Sequence, residues 1–316
     1  MNNKVVVLVG PTASGKTKIS VELAKQFNGS IVSADSMQIY RHMDIGTAKP
    51  TQAERDGIPH YMMDVISANE DFSVADYVRM ADDCVREILS CGRLPFLVGG
   101  TGLYVSSFLD HLQFTQTEKD EHYRAFLNQL ASEHGANVLK QLLDSVDAEA
   151  AEKIHVNNVK RLIRALEIYK TSGLTMTEQN LQSRQTVSPY TFCVIGLYYR
   201  DRAQLYERID RRVDEMFEAG LEQEVRTLLH DGIVTPDCNA MQAIGYKQFL
   251  PYLRGECDLT EVRERIKTES RHYAKRQLTW LRRDERIQWF AVDDIETDFY
   301  GLINKIVKTI ENFIKV

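Results

Sequence analysis

The chain of 316 residues carries 39 Lys+Arg against 45 Asp+Glu, a net charge of −6, with 43% hydrophobic and 27% charged residues. That usage excludes a disordered, collagen-like or low-complexity chain, and the length suits one large domain or a core domain carrying a smaller one. No run approaches the roughly 18 consecutive apolar residues of a membrane span, and Met1-Asn2-Asn3-Lys4 leads straight into a strand-like run, so a cytoplasmic protein with no membrane partner is expected.

Strand-like runs at 4–9, 30–34, 60–65, 94–98 and 191–197 alternate with helical stretches such as 16–27 and 74–90. The first and fourth are apolar almost throughout, as expected of strands covered on both faces of a parallel sheet. This βαβ rhythm stops after about Leu112, and to about Ser188 the pattern is helical only, with Val159, Leu162, Ile163 and Leu166 at three- and four-residue spacing. Because 191–197 resumes a buried-strand pattern, the fold class expected is α/β: a phosphate-loop parallel sheet core flanked by helices (1–114 and 189–316) with an inserted all-helical domain (115–188). Three more helices are predicted at 202–229, 259–281 and 299–314.

Cys84, Cys91, Cys193, Cys238 and Cys257 form no CxxC pair and no Cys/His cluster, which points to reduced thiols and away from a disulfide framework or zinc finger. Charge is unevenly spread. Between residues 54 and 87 there are nine acids and three bases, whereas 260–283 holds eight Lys/Arg against three Glu. Arg263, Lys267, Arg271 and Lys275 recur there at four-residue intervals, a row suited either to the phosphates of a partner or to pairing with carboxylates of the core.

Gly10-Pro11-Thr12-Ala13-Ser14-Gly15-Lys16-Thr17 matches GxxxxGK[ST], follows the apolar first strand and opens a helical pattern. Glycines let such a loop curl so that its N–H groups converge on an anion; Lys16 adds a point charge, Thr17 a hydroxyl for Mg2+, and the helix N-terminus its dipole. A diphosphate or triphosphate ligand follows, which leaves kinases, ATPases and other transferases open. Asp35, at the carboxyl end of the second strand, stands where a group above the phosphate loop is deprotonated, or where it caps a turn or supports a magnesium ion. Gly99-Gly100-Thr101-Gly102 ends the fourth strand and reads as backbone pressed against a ligand or as a plain turn.

These blocks, together with 32–41 (VSADSMQIYR), 46–50 (GTAKP), 99–104 (GGTGLY), 161–167 (RLIRALE), 242–247 (QAIGYK) and 274–280 (AKRQLTW), resemble the bacterial tRNA dimethylallyltransferases. The resemblance implies transfer of a dimethylallyl group from dimethylallyl diphosphate to the exocyclic amine of adenosine 37, beside the tRNA anticodon, by a protein acting as a monomer. By the same resemblance residues 10–17 (Gly10, Pro11, Thr12, Ala13, Ser14, Gly15, Lys16 and Thr17) hold the donor diphosphate with Mg2+, and Asp35 is the base. Thr101 is catalytic, and Ser36, Met37, Gln38 and Thr101 surround the target adenine. One arginine of the helix after the insertion meets the diphosphate: Arg212, in preference to Arg208 or Arg211. Arg124 at the start of the insertion and Gln242, Gly245 and Tyr246 belong to the implied tRNA contacts. Lys160, Arg161 and Arg164 join them from the residues themselves, since Lys160 and Arg164 share a helix face, although a solvated face above an apolar stripe explains them equally. The family usually has a Pro and an Asp where this chain reads Ile154-His155-Val156-Asn157-Asn158.

Overall fold

The computed structural model describes residues 3–113, 120–183 and 186–315. In chain order the elements are β1 (Lys4–Val9), α1 (Lys16–Gln26), β2 (Gly29–Ala34), α2 (Gln52–Arg55), β3 (His60–Tyr61), α3 (Val74–Ser90), β4 (Leu94–Gly99) and α4 (Gly102–Leu109). Helices α5 (Glu121–His134), α6 (Asn137–Asp144), α7 (Ala148–Lys153), α8 (Val159–Ser172) and α9 (Met176–Ser183) come next. Then follow β5 (Thr191–Tyr198), α10 (Arg202–Glu218), α11 (Leu221–His230), α12 (Phe249–Leu253), α13 (Leu259–Leu281), β6 (Gln288–Ala291) and α14 (Phe299–Lys315).

The six strands form one parallel sheet in the order β3-β2-β4-β1-β5-β6. Val5 to Val9 are fully buried, the property that makes β1 apolar at every position. Val6 and Leu8 pack with Ile19 and Leu23 of α1 and with Ile303 and Ile306 of α14. Helix α3 begins where Ser73 and Asp76 form a reciprocal capping box, and its buried Tyr77 stacks on Tyr104 of α4 with ring centroids 4.0 Å apart. Because β4 slots between β1 and β2, the chain leaves β1 in one direction and β4 leads on to the other side of the sheet, opening a crevice at the carboxyl ends of β1, β2 and β4.

The chain divides into two compact units, Met1–Leu109 with Pro189–Val316, and Asp110–Ser188. The boundary expected at 114/115 lies outside the described residues. In the second unit Leu127, Leu139, Leu143, Ile154, Leu162, Ile163 and Leu166 build a separate core. Glu167 is buried there: its carboxylate accepts hydrogen bonds from Arg124 Nε (2.7 Å) and Nη2 (2.9 Å), from Arg164 Nη1 (2.6 Å) and from the Asp120 N–H (3.0 Å).

Three elements differ from the sequence reading. The strand expected over 60–65 stops at Tyr61, since Met62 and Asp64 take left-handed φ of 62° and 56°. The segment then pairs with the loop after β2, where Val65 N–H donates to Ile39 O at 2.8 Å. The helix expected over 202–229 is two helices, broken at Gly220 with φ 96°. Strand β6, four residues at the sheet edge, carries no apolar alternation that would announce it.

Candidate active site

The loop between β1 and α1 has two left-handed residues, Ala13 (φ 61°) and Gly15 (φ 84°), which turn its amides toward one point. A side chain at Gly15 would also meet Ile295, whose Cδ1 lies 2.5 Å from where a Cβ would stand. The first-turn N–H groups of α1 have no intrahelical acceptor, and Gly15 supplies no side-chain cap. Lys16 Nζ donates to Gly10 O (3.0 Å) and Pro11 O (2.7 Å). The buried Ser14 hydroxyl has no hydrogen-bond partner among the described residues. Burial and the neighbouring Arg212 pull the Lys16 ammonium down to about 7, against an opposing pull from Asp35. An anion seated here restores its charge.

Helix α10 brings three arginines toward the loop and sorts them. Arg208 and Arg211 both pair with Glu296, Arg211 at 2.8 Å, and Arg208 also donates to Ala13 O. Arg212 forms no ion pair among the described residues. It donates to Thr12 Oγ1 at 3.2 Å and to Ala48 O at 3.4 Å, and burial lowers its pKa against the pull of Asp35. Arg212 is therefore the arginine of the three whose charge is uncommitted.

Asp35 follows β2, and its Oδ1 accepts the Met37 N–H at 2.9 Å, fixing the turn. Thr101 Oγ1 accepts the Ser36 N–H at 3.0 Å and lies 3.4 Å from Ser36 Oγ, so the ends of β2 and β4 are tied at the hydroxyl singled out in the sequence. Gln38 accepts from Ser33 Oγ (3.0 Å) and donates to Thr47 O and Ala48 O. Tyr273 of α13 stands beside Asp35; burial and that carboxylate push its phenol up to about 12, which keeps it a proton donor.

These groups line one cavity of about 1010 Å³: residues 12–17, Asp35, Ser36, Met37, Gln38, Gly100, Arg212, Gln242, Gly245, Tyr273 and Gln277 among them. Gly10 and Pro11 stand behind it as acceptors for Lys16, and Thr101 adjoins it through Gly100 and Ser36. Tyr246 is not a surface contact. It is fully buried, and its hydroxyl donates to Glu224 at 2.7 Å. Arg124, Lys160, Arg161 and Arg164 belong to the helical unit; Arg124 and Arg164 are engaged by Glu167, while Lys160 and Arg161 are exposed.

Two positions carry the site without having stood out in the sequence. Gln277 of α13 donates to Gly100 O at 2.9 Å and accepts the Thr12 N–H at 2.9 Å, bridging the loops after β4 and β1. Glu224 of α11 accepts the N–H groups of Asp44, Ile45 and Gly46 at 3.0, 2.8 and 3.2 Å, holding the loop whose carbonyls bind Gln38. Gln277 lay inside the 274–280 block, but nothing in a single sequence separates it from a solvated glutamine.

The row on α13 is also resolved. Lys267 Nζ pairs with Asp214 at 2.8 Å, Arg263 lies 3.8 Å from the same carboxylate, and Arg271 pairs with Asp210 at 2.6 Å. Arg263, Lys267 and Arg271 thus take the second of the two readings, pairing across this face with carboxylates of α10. A four-residue repeat drifts by about 40° per step on a helix of 3.6 residues per turn, which carries Lys275 off that face.

An anion-cradling loop on the first strand of a parallel sheet, with a carboxylate at the end of the next strand across the same cavity, defines an α/β protein of the phosphate-loop class. The family model described as IPP transferase matches residues 38–284. The chain belongs to that family. It is 51% identical over 293 residues to the tRNA dimethylallyltransferase of Bacillus cytotoxicus, covering 93% of this chain and 92% of the relative. Among solved structures it is similar to the tRNA isopentenylpyrophosphate transferase of Bacillus halodurans (45% identity, 99% of this chain and 98% of that one, TM-score 0.72). It is likewise similar to a eukaryotic dimethylallyltransferase acting on tRNA (29% identity, 99% and 80%, TM-score 0.83).

Proposed function

We propose that this chain transfers a dimethylallyl group from dimethylallyl diphosphate to the exocyclic N6 amine of adenosine 37 in tRNA, releasing diphosphate, as a monomer in the cytoplasm. The observation that carries the reading is the convergence of Lys16, Arg212 and Asp35 on one cavity. An allylic diphosphate needs cations where charge grows on its leaving oxygens, and the adenine amine, a poor nucleophile, needs a proton acceptor. The N6–C1 bond forms as the allylic C–O bond breaks; the electron pair leaves with the diphosphate, and the N6 proton passes to the Asp35 carboxylate. Loop N–H groups, Lys16 and Arg212 hold the leaving group. Thr101 and Ser36 fix the turn that aims Asp35.

Mg2+ suits this donor set. Thr17 offers one hydroxyl oxygen, and no group of three or more His, Cys, Asp or Glu side chains forms a metal cage among the described residues. That fits a hard cation held mainly by phosphate oxygens and water, whose charge, when bound, offsets that of the diphosphate. A target base stacked in an anticodon loop must be extruded to reach the cavity. The exposed Lys160 and Arg161 of the helical unit fit a grip on the anticodon stem-loop. No described helix is long and apolar enough to cross a membrane.

The test is label transfer from radioactive dimethylallyl diphosphate to unmodified tRNA, with AMP as the competing acceptor. Asp35→Asn is expected to keep donor and tRNA binding while single-turnover transfer falls by about 100- to 10,000-fold. Label appearing on AMP and not on tRNA overturns the acceptor, and an Asn variant within a few-fold of the parent removes Asp35 as base.

A further inference from the structure

A phosphate loop cradles an anion without counting its phosphates: the same GxxxxGK[ST] curl serves diphosphates and triphosphates, so residues 10–17 leave that choice to their neighbours. The neighbours are on α10. Arg208, Arg211 and Arg212 all line the large cavity beside residues 12–17, and Arg208 and Arg212 stand one helical turn, about 6 Å, apart along the axis. Together with Lys16 they form the kind of cationic row that suits a triphosphate. Glu296 reduces that row to Lys16 and Arg212. Its carboxylate accepts from Arg208 Nη1 and from Arg211 Nη2 at 2.8 Å, and no other carboxylate pairs with Arg208 among the described residues.

The turn that carries Glu296 is fixed on both sides. Ile295 packs against Gly15 of the loop, the Asp298 N–H donates to Asp294 O at 2.7 Å, and Asp293 accepts the Arg200 and Asp201 N–H groups at 2.9 and 3.1 Å. An ion pair whose carboxylate side chain is 62% exposed adds little to folding, so its effect lies in what it denies the arginines. We infer that Glu296 is a specificity-determining residue: its carboxylate occupies the arginine N–H groups that a third phosphate would use, and so restricts the anion site to diphosphates. The inference rests on the reading above that the donor is a diphosphate ester. A triphosphate on the loop can lie in two ways, both unfavourable. If it leaves the pair intact, its added charge gains no guanidinium; if it takes Arg208, Glu296 is left unpaired beside a polyanion. A diphosphate meets neither penalty, since the loop N–H groups, Lys16 and Arg212 already face it.

The experiment titrates the full chain, with Mg2+ present, with inorganic diphosphate and inorganic triphosphate, each in competition with labelled dimethylallyl diphosphate. The parent is expected to prefer diphosphate. Glu296→Gln is expected to raise triphosphate affinity by about 10- to 100-fold, the gain of one charge-assisted contact, and diphosphate affinity by much less. Adding Arg208→Gln to that variant is expected to erase the gain. Asp294→Asn serves as the control for net charge, because its carboxylate lies on the same turn, is 74% exposed and touches neither Arg208 nor Arg211; it is expected to leave the preference as in the parent. If Glu296→Gln raises both affinities by the same factor, or Asp294→Asn shifts the preference equally, net charge accounts for the effect and the inference is overturned. A parent that transfers label to tRNA yet takes triphosphate as tightly as Glu296→Gln overturns the inference and leaves the donor reading standing. A parent that binds neither the donor nor inorganic diphosphate removes that reading, and the inference with it.

Discussion

Glu224 and Tyr246 meet inside the core through a 2.7 Å hydrogen bond, and the same carboxylate gathers three consecutive backbone N–H groups of the loop at 44–46. Gly46 lies flat on the Tyr246 ring, where a Cβ would stand 2.4 Å from the ring edge. The loop is thus clamped from both sides, and it carries the Thr47 and Ala48 carbonyls that hold Gln38. Tyr246→Phe is expected to cost about 0.5–1.5 kcal/mol, one hydrogen bond. Glu224→Ala is expected to cost about 2–4 kcal/mol, because it strands several donors, and to lower single-turnover transfer as the loop loosens. Melting temperatures equal to the parent's in both variants would show that the clamp contributes nothing.

Lys16 gives a pH signature. With its free-site pKa near 7, the ammonium is largely deprotonated at pH 8, and binding a diphosphate raises the pKa again, so donor binding takes up a proton. Donor affinity is expected to fall as pH rises through about 7 to 9. The depressed pKa also means that the unfolded chain binds more protons than the folded one between about 7 and 10, so this group makes the ligand-free protein more stable as pH rises through that window. Calorimetry at pH 8 in buffers of different ionisation enthalpy checks the uptake, and Lys16→Arg is expected to abolish it.

Glu167 gives the opposite sign. Burial alone pushes its carboxyl up, but the Arg124, Arg164 and Asp120 hydrogen bonds outweigh this and hold it below the usual carboxylate range. Its stabilising contribution is present above the unfolded-state pKa of about 4.3 and is lost as pH falls through the lower folded value. Acid titration of hydrogen exchange is expected to open the helical unit in this range, and Glu167→Ala to open it already at pH 7, at a cost of about 3 kcal/mol.

Gly100→Ala probes the Gln277 bridge. The added Cβ would stand 2.2 Å from Gln277 Nε2 and 3.0 Å from Gly10 O, so the amide must leave and the Thr12 N–H loses its acceptor. A loss of about 1–3 kcal/mol in stability is expected, together with weaker donor binding as the phosphate loop shifts. Unchanged donor affinity in a binding titration would show that the loop keeps its shape without the bridge.

The sheet, the phosphate loop and Asp35 were legible because each is written locally: a continuous apolar run, a spaced glycine motif, a carboxylate at a strand end. The 60–65 strand misled because its composition is strand-like while Met62 and Asp64 turn left-handed, with Asp64 and Asp44 both gripping the buried Lys49 at 2.6 Å. Glu224, Gln277 and the partners of the α13 cations are tertiary facts. A glutamate among eleven other helical charges looks solvated until the loop 180 residues away folds onto it. Tyr246 failed as an RNA contact for the same reason, since a tyrosine beside glycines reads equally well as a stacking surface or as core.

Glu296 has a bearing on turnover. Donor and product share a diphosphate, and any cation that grips both alike deepens the resting complexes without lowering the barrier between them. In the reaction proposed above, Glu296 neutralises Arg208 and Arg211 and so leaves Arg212 as the guanidinium free to follow charge onto the leaving oxygens, which would spare the protein a trap of three arginines from which spent diphosphate escapes slowly.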